Sequence, residues 1–421
     1  MDKKKTFRIP NWENLELLNG HGELYKQYSS ERVARGVVGA DQSIIGYSHG
    51  VSAVAAAYYG GVLSPDGRIY LIPFTQGTVD NWHLIETNGT IKTYFNGLLI
   101  RNNNSYAGGV LDPNGRIYLI PFGQSNSKSW EYINTKKIPG EAGHVKNYNA
   151  PLGVVANAFI GGTLGYNGNI YLIPTGQATS TLWFYIDSSG TPNSYSHGMG
   201  SLPFNAYVGG VLSPDGKIYL IPYTQCTANV WHYIDSTKSP GAAGHVVAYS
   251  HGLATKPVSA GYVSGVLSPD GKIYLGPQVQ STDTMWHYID TNKTPGAAGH
   301  VVAYSHGASG IVDNGYQGCS PVTPNGRIYL IPRGQCTTTM WHYIDVTKTP
   351  GAAGHVVAYS HGSSGFKTTQ AQYIGCALSP NGRLYLVPSQ QGDQSIWHYI
   401  DTNTNDMFSI NLNTSPFHNK L

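Results

Sequence analysis

The stretch GVLSPDGRIYLIP, Gly61 to Pro73, decides the fold, because it returns six more times along the chain. The copies are GVLDPNGRIYLIP (Gly109 to Pro121), GTLGYNGNIYLIP (Gly162 to Pro174), GVLSPDGKIYLIP (Gly210 to Pro222), GVLSPDGKIYLGP (Gly265 to Pro277), SPVTPNGRIYLIP (Ser320 to Pro332) and CALSPNGRLYLVP (Cys376 to Pro388). Nine residues after each closing proline stands a tryptophan: Trp82, Trp130, Trp183, Trp231, Trp286, Trp341 and Trp397. Successive tryptophans are 48, 53, 48, 55, 55 and 56 residues apart. Proline to tryptophan is therefore the rigid half of a unit, and the variable half follows the tryptophan.

Each unit carries four short runs of β-branched and aromatic residues bounded by Gly, Pro, Asp and Asn, the mark of strands joined by tight turns. In the fourth unit they are AYVGGVLS, KIYLIPY, VWHYID and HVVAYSHG. Asp66-Gly67, Asn114-Gly115, Asp215-Gly216, Asp270-Gly271 and Asn325-Gly326 close the first two runs into a hairpin, since glycine accepts positive φ without steric cost. A unit of about 50 residues with four antiparallel strands has the size of one propeller blade. Seven units predict an all-β, seven-bladed β-propeller of four-stranded antiparallel blades over residues 41–405, between an N-terminal extension (1–40) and a C-terminal tail (406–421). One Trp and one Tyr per unit would fill the space between sheets.

The SPDGK and SPDGR turns before a short strand resemble the repeats of TolB-type and other WD-like propellers. The paired glycines before the first strand resemble kelch repeats. The resemblance spans roughly residues 40–405 and implies architecture only. IIGYSHG (Ile44 to Gly50) matches the fourth-strand phrase at Tyr249, Tyr304 and Tyr359 yet precedes the first complete unit, so it is expected to pair with the last blade and close the ring. MFSINL in the tail is the competing strand, and Trp12 marks a decayed half-unit.

Composition excludes several functions. Of 421 residues, 26 are Lys or Arg and 23 Asp or Glu, so 12 % are charged, about half the share of an ordinary soluble domain. A formal charge of +3 argues against nucleic acid, whose binders concentrate Lys and Arg on one face. VSAVAAAYYGGVL is too short to span a membrane, and MDKKKTFRIPNWENL lacks the apolar core of a secretory signal. Together with four scattered cysteines, these features predict a virion or cytoplasmic location without membrane insertion.

Candidate site residues come from the repeat. A glutamine lies three residues past every closing proline: Gln76, Gln124, Gln177, Gln225, Gln280, Gln335 and Gln391. These carboxamides either bind sugar hydroxyls or a partner's backbone, or satisfy buried backbone within each blade. Tyr249, Tyr304 and Tyr359, with Tyr195, the Arg101–Asn104 segment and Tyr106 beside it, and the Asn147–Asn149 segment, are candidates for stacking faces on loops. Histidine follows the tryptophan in five units and is replaced by Glu131 and Phe184 in two, a tolerance that suits a half-exposed position. The histidine pairs of GHVVAYSHG are six residues apart, about 20 Å along a strand, too far to share a metal.

No catalytic residues, metal site or cofactor are expected, because no unit departs from the repeat so as to gather acids, bases or nucleophiles. The reading is a binding or assembly module working through protein partners. Its low charge and near-identical later repeats resemble virion decoration or attachment subunits of phages and large DNA viruses. A lectin of the tachylectin-like kind, or a propeller enzyme acting on polysaccharide, is the alternative.

Overall fold

The computed structural model describes residues 44–98, 103–151, 153–367 and 369–402. They form seven four-stranded antiparallel sheets, one per sequence unit, arranged as a β-propeller. Blade 1 runs outward from the axis as Tyr58–Leu63, Ile69–Pro73, Asn81–Ile85 and Ile91–Phe95. The first strands of the other blades are Tyr106–Leu111, Phe159–Leu164, Tyr207–Leu212, Tyr262–Leu267, Tyr316–Cys319 and Tyr373–Leu378. First strands pack side by side around the axis, and that of blade 7 meets that of blade 1.

Blade 7 receives its fourth strand from the N-terminal side. Ile44–Ser48 pairs antiparallel with Ile396–Asp401, setting Ile44 opposite Ile400 and Tyr47 opposite Trp397. The strand expected to close the ring is the one that does so. MFSINL, Trp12 and both flanking segments lie outside the described residues.

The antiparallel order gives the ring two ends. The turn end holds the SPDG-type hairpins; there Ser64 Oγ donates to Asp66 and to the Arg68 carbonyl, and Ser213 repeats the pattern on Asp215 and Lys217. The glutamine end holds the loops leading into each blade and, in six blades, a one-turn 3-10 segment containing the repeated glutamine. The chain enters at Ile44 and leaves at Asp401 on the turn end, since Ile44 pairs with Ile400 and Asp401 with Arg383 beside the blade 7 hairpin.

The uneven spacing of tryptophans has a structural cause. Blades 1 and 3 join their last two strands by short turns, at residues 86–90 and 187–191, whereas blades 2, 4, 5 and 6 insert a longer loop at residues 135–144, 236–245, 291–300 and 346–355. Each long loop reaches the preceding blade: Nε2 of His144, His245 and His300 donates to the hydroxyls of Tyr70, Tyr171 and Tyr219 at 3.3 Å, and the His355 ring packs against Tyr274 at 5.6 Å. The seven tryptophans are fully buried between sheets, where loss of such a side chain costs about 3–5 kcal/mol. No helix among the described residues is long and apolar enough to cross a membrane.

Candidate functional site at the glutamine end

All seven glutamines are buried. Five use Oε1 to accept a backbone N–H from the loop leading into the blade, from Val54, Val155, Val258, Val312 and Lys367, at 2.9–3.1 Å. Nε2 donates to the carbonyl of the residue that opens the third strand, at 2.7–3.0 Å in six blades. Gln124 occupies the equivalent buried place in blade 2. The carboxamide thus ties the lead-in loop to the third strand, satisfying backbone that the 3-10 turn leaves over.

That bracing fixes what stands on either side of it. In blade 3 the bracketing residues are Val155 and Leu182, and in blade 5 Val258 and Met285. In blade 4 Gln225 holds the Val230 carbonyl, and the Thr224 hydroxyl holds that of Phe204 at 2.9 Å. These six side chains are 36–55 % exposed. They account for all but Phe95 and Ile138 of the large exposed apolar side chains among the described residues. Blades 1 and 2 put Asn81 and Ser129 at the position of Leu182, Val230 and Met285. Soluble surfaces seldom group apolar side chains in this way unless something covers them.

The histidines that follow the tryptophans are internal. The residue after tryptophan is buried, not half-exposed, because the third strand is covered by neighbouring sheets on both faces and alternation does not bring it to water. Tyr316 donates its hydroxyl to Nδ1 of His342 at 2.5 Å, and Nε2 of His342 donates to the Ser309 carbonyl at 3.0 Å. Tyr58–His83, Tyr207–His232, Tyr262–His287 and Tyr373–His398 repeat the contact. In blade 2 Tyr106 bonds Glu131, and in blade 3 both partners are apolar, Phe159 packing on Phe184 at 5.8 Å. The slot demands matched partners. Burial pushes His83, His232, His287 and His398 down to about 4.

The histidine of the YSHG phrase stacks on the blade's tryptophan, His197 on Trp183 at 4.4 Å and His49 on Trp397 at 4.0 Å. His197 Nε2 donates to the Ser180 carbonyl at 2.7 Å and Nδ1 accepts from Met199 N–H at 3.2 Å. Asn96 of blade 1 makes the same two bonds with an amide, to Val79 and from Leu98. His245 and His251 of one phrase therefore serve different places, and no group of three metal-ligating side chains occurs among the described residues.

Tyr249, Tyr304 and Tyr359 lie on outermost strands, not loops, and are buried. Tyr249 meets Tyr219 at 5.9 Å and His300 of the next blade at 4.8 Å, edge to face. Tyr304 contacts His355 at 4.9 Å, and Tyr359 contacts Tyr329 at 6.0 Å. Their faces pack within and between blades. Arg101 and Asn102 lie outside the described residues. The four cysteines are free and buried; burial pushes Cys226 and Cys336 up to about 12, far from a reactive thiolate.

The apolar rim is not among the candidates drawn from the repeat, although its signal is present: the residue opening the third strand is polar in the first two units and apolar in the other five, Leu182, Val230, Met285, Met340 and Ile396, of which the last two are half-buried.

No family model matches the chain, and no curated protein sequence matches it. Solved structures do. A streptogramin B lyase is 15 % identical with a TM-score of 0.55, over 85 % of this chain and 97 % of that one. Virginiamycin B lyase from Staphylococcus aureus, solved with quinupristin, is 13 % identical with a TM-score of 0.57, over 86 % and 99 %. YCF48 from Cyanidioschyzon merolae is 10 % identical with a TM-score of 0.50, over 84 % and 98 %. At such identities the likeness establishes the propeller fold and nothing about chemistry.

Proposed function

We propose that this chain is a non-catalytic binding and assembly module that holds a protein partner through the glutamine end of blades 3 to 5. The observation that carries this reading is the set of six exposed apolar side chains on three consecutive blades, five braced by the repeated glutamines and Phe204 by Thr224. A protein surface suits it better than a sugar, because the repeated aromatic faces a lectin would offer are packed inside the ring. The titratable groups weigh the same way. Among the described residues the histidines that follow the tryptophans are bonded inside their blades and the acidic residues of the hairpin turns hold their own backbone, which disfavours either as an acid or base for catalysis.

The test places a photo-crosslinking residue at Phe204 or, as a control, at Ile138 on the blade 2 insertion. Crosslinks to a single protein species from Phe204 and none from Ile138 are expected; the reverse pattern overturns the reading. The virion setting suggested by composition has no support in the fold comparisons, and presence in purified particles is required to retain it. A catalytic alternative rests on a fold shared with lyases. Turnover of quinupristin or of a polysaccharide panel that survives substitution of the rim would replace the binding reading.

A further inference from the structure

A second feature of the glutamine end lies at the axis rather than on the rim. The closing proline and the glutamine three residues later recur in all seven blades, but the residue directly after the proline differs. It is Phe74 and Phe122 in blades 1 and 2, Tyr223 in blade 4, Gln278 in blade 5 and Arg333 in blade 6. With Thr175 in blade 3 and Ser389 in blade 7, aromatic groups stand on blades 1, 2 and 4, and the amide and guanidinium groups follow on blades 5 and 6. All seven blades carry a pairing irregularity between their first two strands at this end, such as that between Tyr58 and Gly61. Bulges of this kind re-aim side chains.

Tyr59 comes from the bulge of blade 1 and stacks on Phe74 at 5.1 Å. Its hydroxyl is held far above the ordinary tyrosine range by burial; the Tyr223 hydroxyl adds to that rise and the Arg333 charge opposes it. Tyr59 and Tyr223 pack against one buried cluster, and Arg333 occupies in blade 6 the position that Phe74 and Tyr223 hold in blades 1 and 4, so groups from these blades face one another around the axis. Phe74, Tyr223 and Arg333 remain half-buried, within reach of solvent. The Arg333 guanidinium forms no ion pair or hydrogen bond among the described residues. Gln278 is only 5 % exposed. Its Nε2 donates to Oε1 of Gln317 at 3.1 Å, while its own Oε1 has no partner among the described residues. An unmatched buried acceptor costs about 1–3 kcal/mol, which a ligand's donor group would recover.

From this arrangement we infer that the channel mouth binds a small aromatic carboxylate bearing a hydroxyl or amino group. The guanidinium takes the carboxylate, as arginine does best among cations. Phe74 and Tyr223 take the ring, and Gln278 Oε1 accepts from the ligand's donor. The site is separate from the rim of blades 3 to 5 and stands or falls independently of it.

The test titrates the full chain with 4-hydroxyphenylacetate by calorimetry or ligand-observed NMR, with phenylacetate (no donor) and 4-hydroxyphenylacetamide (no charge) alongside. Saturable binding of one 4-hydroxyphenylacetate per chain is expected, with both analogues weaker. Arg333→Gln should weaken it about tenfold or more, and Gln278→Leu should reduce 4-hydroxyphenylacetate to the level of phenylacetate. Phe204→Ser, on the rim, should leave it unchanged, and thermal melts of each variant separate loss of binding from loss of fold. The inference is overturned if none of the three compounds saturates at about 10 mM. It is also overturned if folded Arg333→Gln and Gln278→Leu both bind 4-hydroxyphenylacetate as the parent does.

Discussion

At the turn end, blades 1, 4 and 5 build one hairpin three times over: a serine hydroxyl bonds an aspartate two residues on, and that aspartate pairs with the Arg or Lys two residues further, where the second strand begins. Blades 6 and 7 keep the same bond with asparagine, Thr323 to Asn325 and Ser379 to Asn381. At the glutamine end the bracing recurs from blade to blade, yet the side chains it supports differ: polar Asn81 and Ser129 on blades 1 and 2, exposed Leu182, Val230 and Met285 on blades 3 to 5, and half-buried Met340 and Ile396 on blades 6 and 7. Uniformity at both ends makes blades. Variation over a uniform brace makes a surface that differs around the ring, and a surface of that kind can choose a partner.

The largest expected effect strikes both ends at once. The buried histidines are neutral in the fold, their pKa lowered by burial, to about 4 in the four Tyr–His pairs cited above. At pH above about 6.5 both folded and unfolded chains hold them neutral, and stability is at its full value. As pH falls from there toward 4 the unfolded chain takes up protons that the folded chain refuses, so stability drops by about 1.4 kcal/mol per pH unit for each such histidine. A few of them suffice to exhaust the 5–15 kcal/mol of an ordinary fold, taken as a rough scale. Cooperative acid unfolding between about pH 4 and 6 is expected by circular dichroism; native signal retained at pH 4 would contradict the assignment of buried neutral imidazoles.

Removing one brace separates the ends. Gln280→Ala leaves the Val258 N–H and the Met285 carbonyl without their partner, and should cost about 2–3 kcal/mol in chemical denaturation while also weakening partner binding. Asp215→Ala at the turn end, where the ion pair with Lys217 is partly exposed, should cost under about 1 kcal/mol and leave binding untouched. If the two substitutions proved equal in both assays, the distinction between the ends would fail.

Between these lies the matched slot within each blade. His232→Phe strands the Tyr207 hydroxyl and should cost about 1–3 kcal/mol. Adding Tyr207→Phe copies the apolar pair of blade 3 and should recover most of that loss in a double-mutant cycle. Additive costs would show that the pair is not a unit.

Much of this was legible in the chain. The seven phrases with their fixed proline-to-tryptophan step predict seven blades, and the displaced IIGYSHG copy predicts the strand that closes the ring. The hidden part follows from burial on both faces. The third strand reads Trp231-His232-Tyr233 as if alternate residues met solvent, but each blade is sandwiched between two others, so His232 is as enclosed as Trp231. The glutamines were visible in every unit, while their inward direction depends on the 3-10 turn that carries them. Residues that change between units were the least conspicuous in a reading built on repetition, and the rim and the channel mouth consist of them.

The central claim is that the apolar rim of blades 3 to 5 holds the partner. Its most direct test is the affinity of the crosslinked partner, once identified, for the Phe204→Ser, Val258→Ser double variant beside Ile138→Ser. A loss of about tenfold or more for the rim variant, with parent-like affinity for Ile138→Ser and an unchanged melting temperature for both, is the predicted result. A rim variant that binds like the parent would contradict the account.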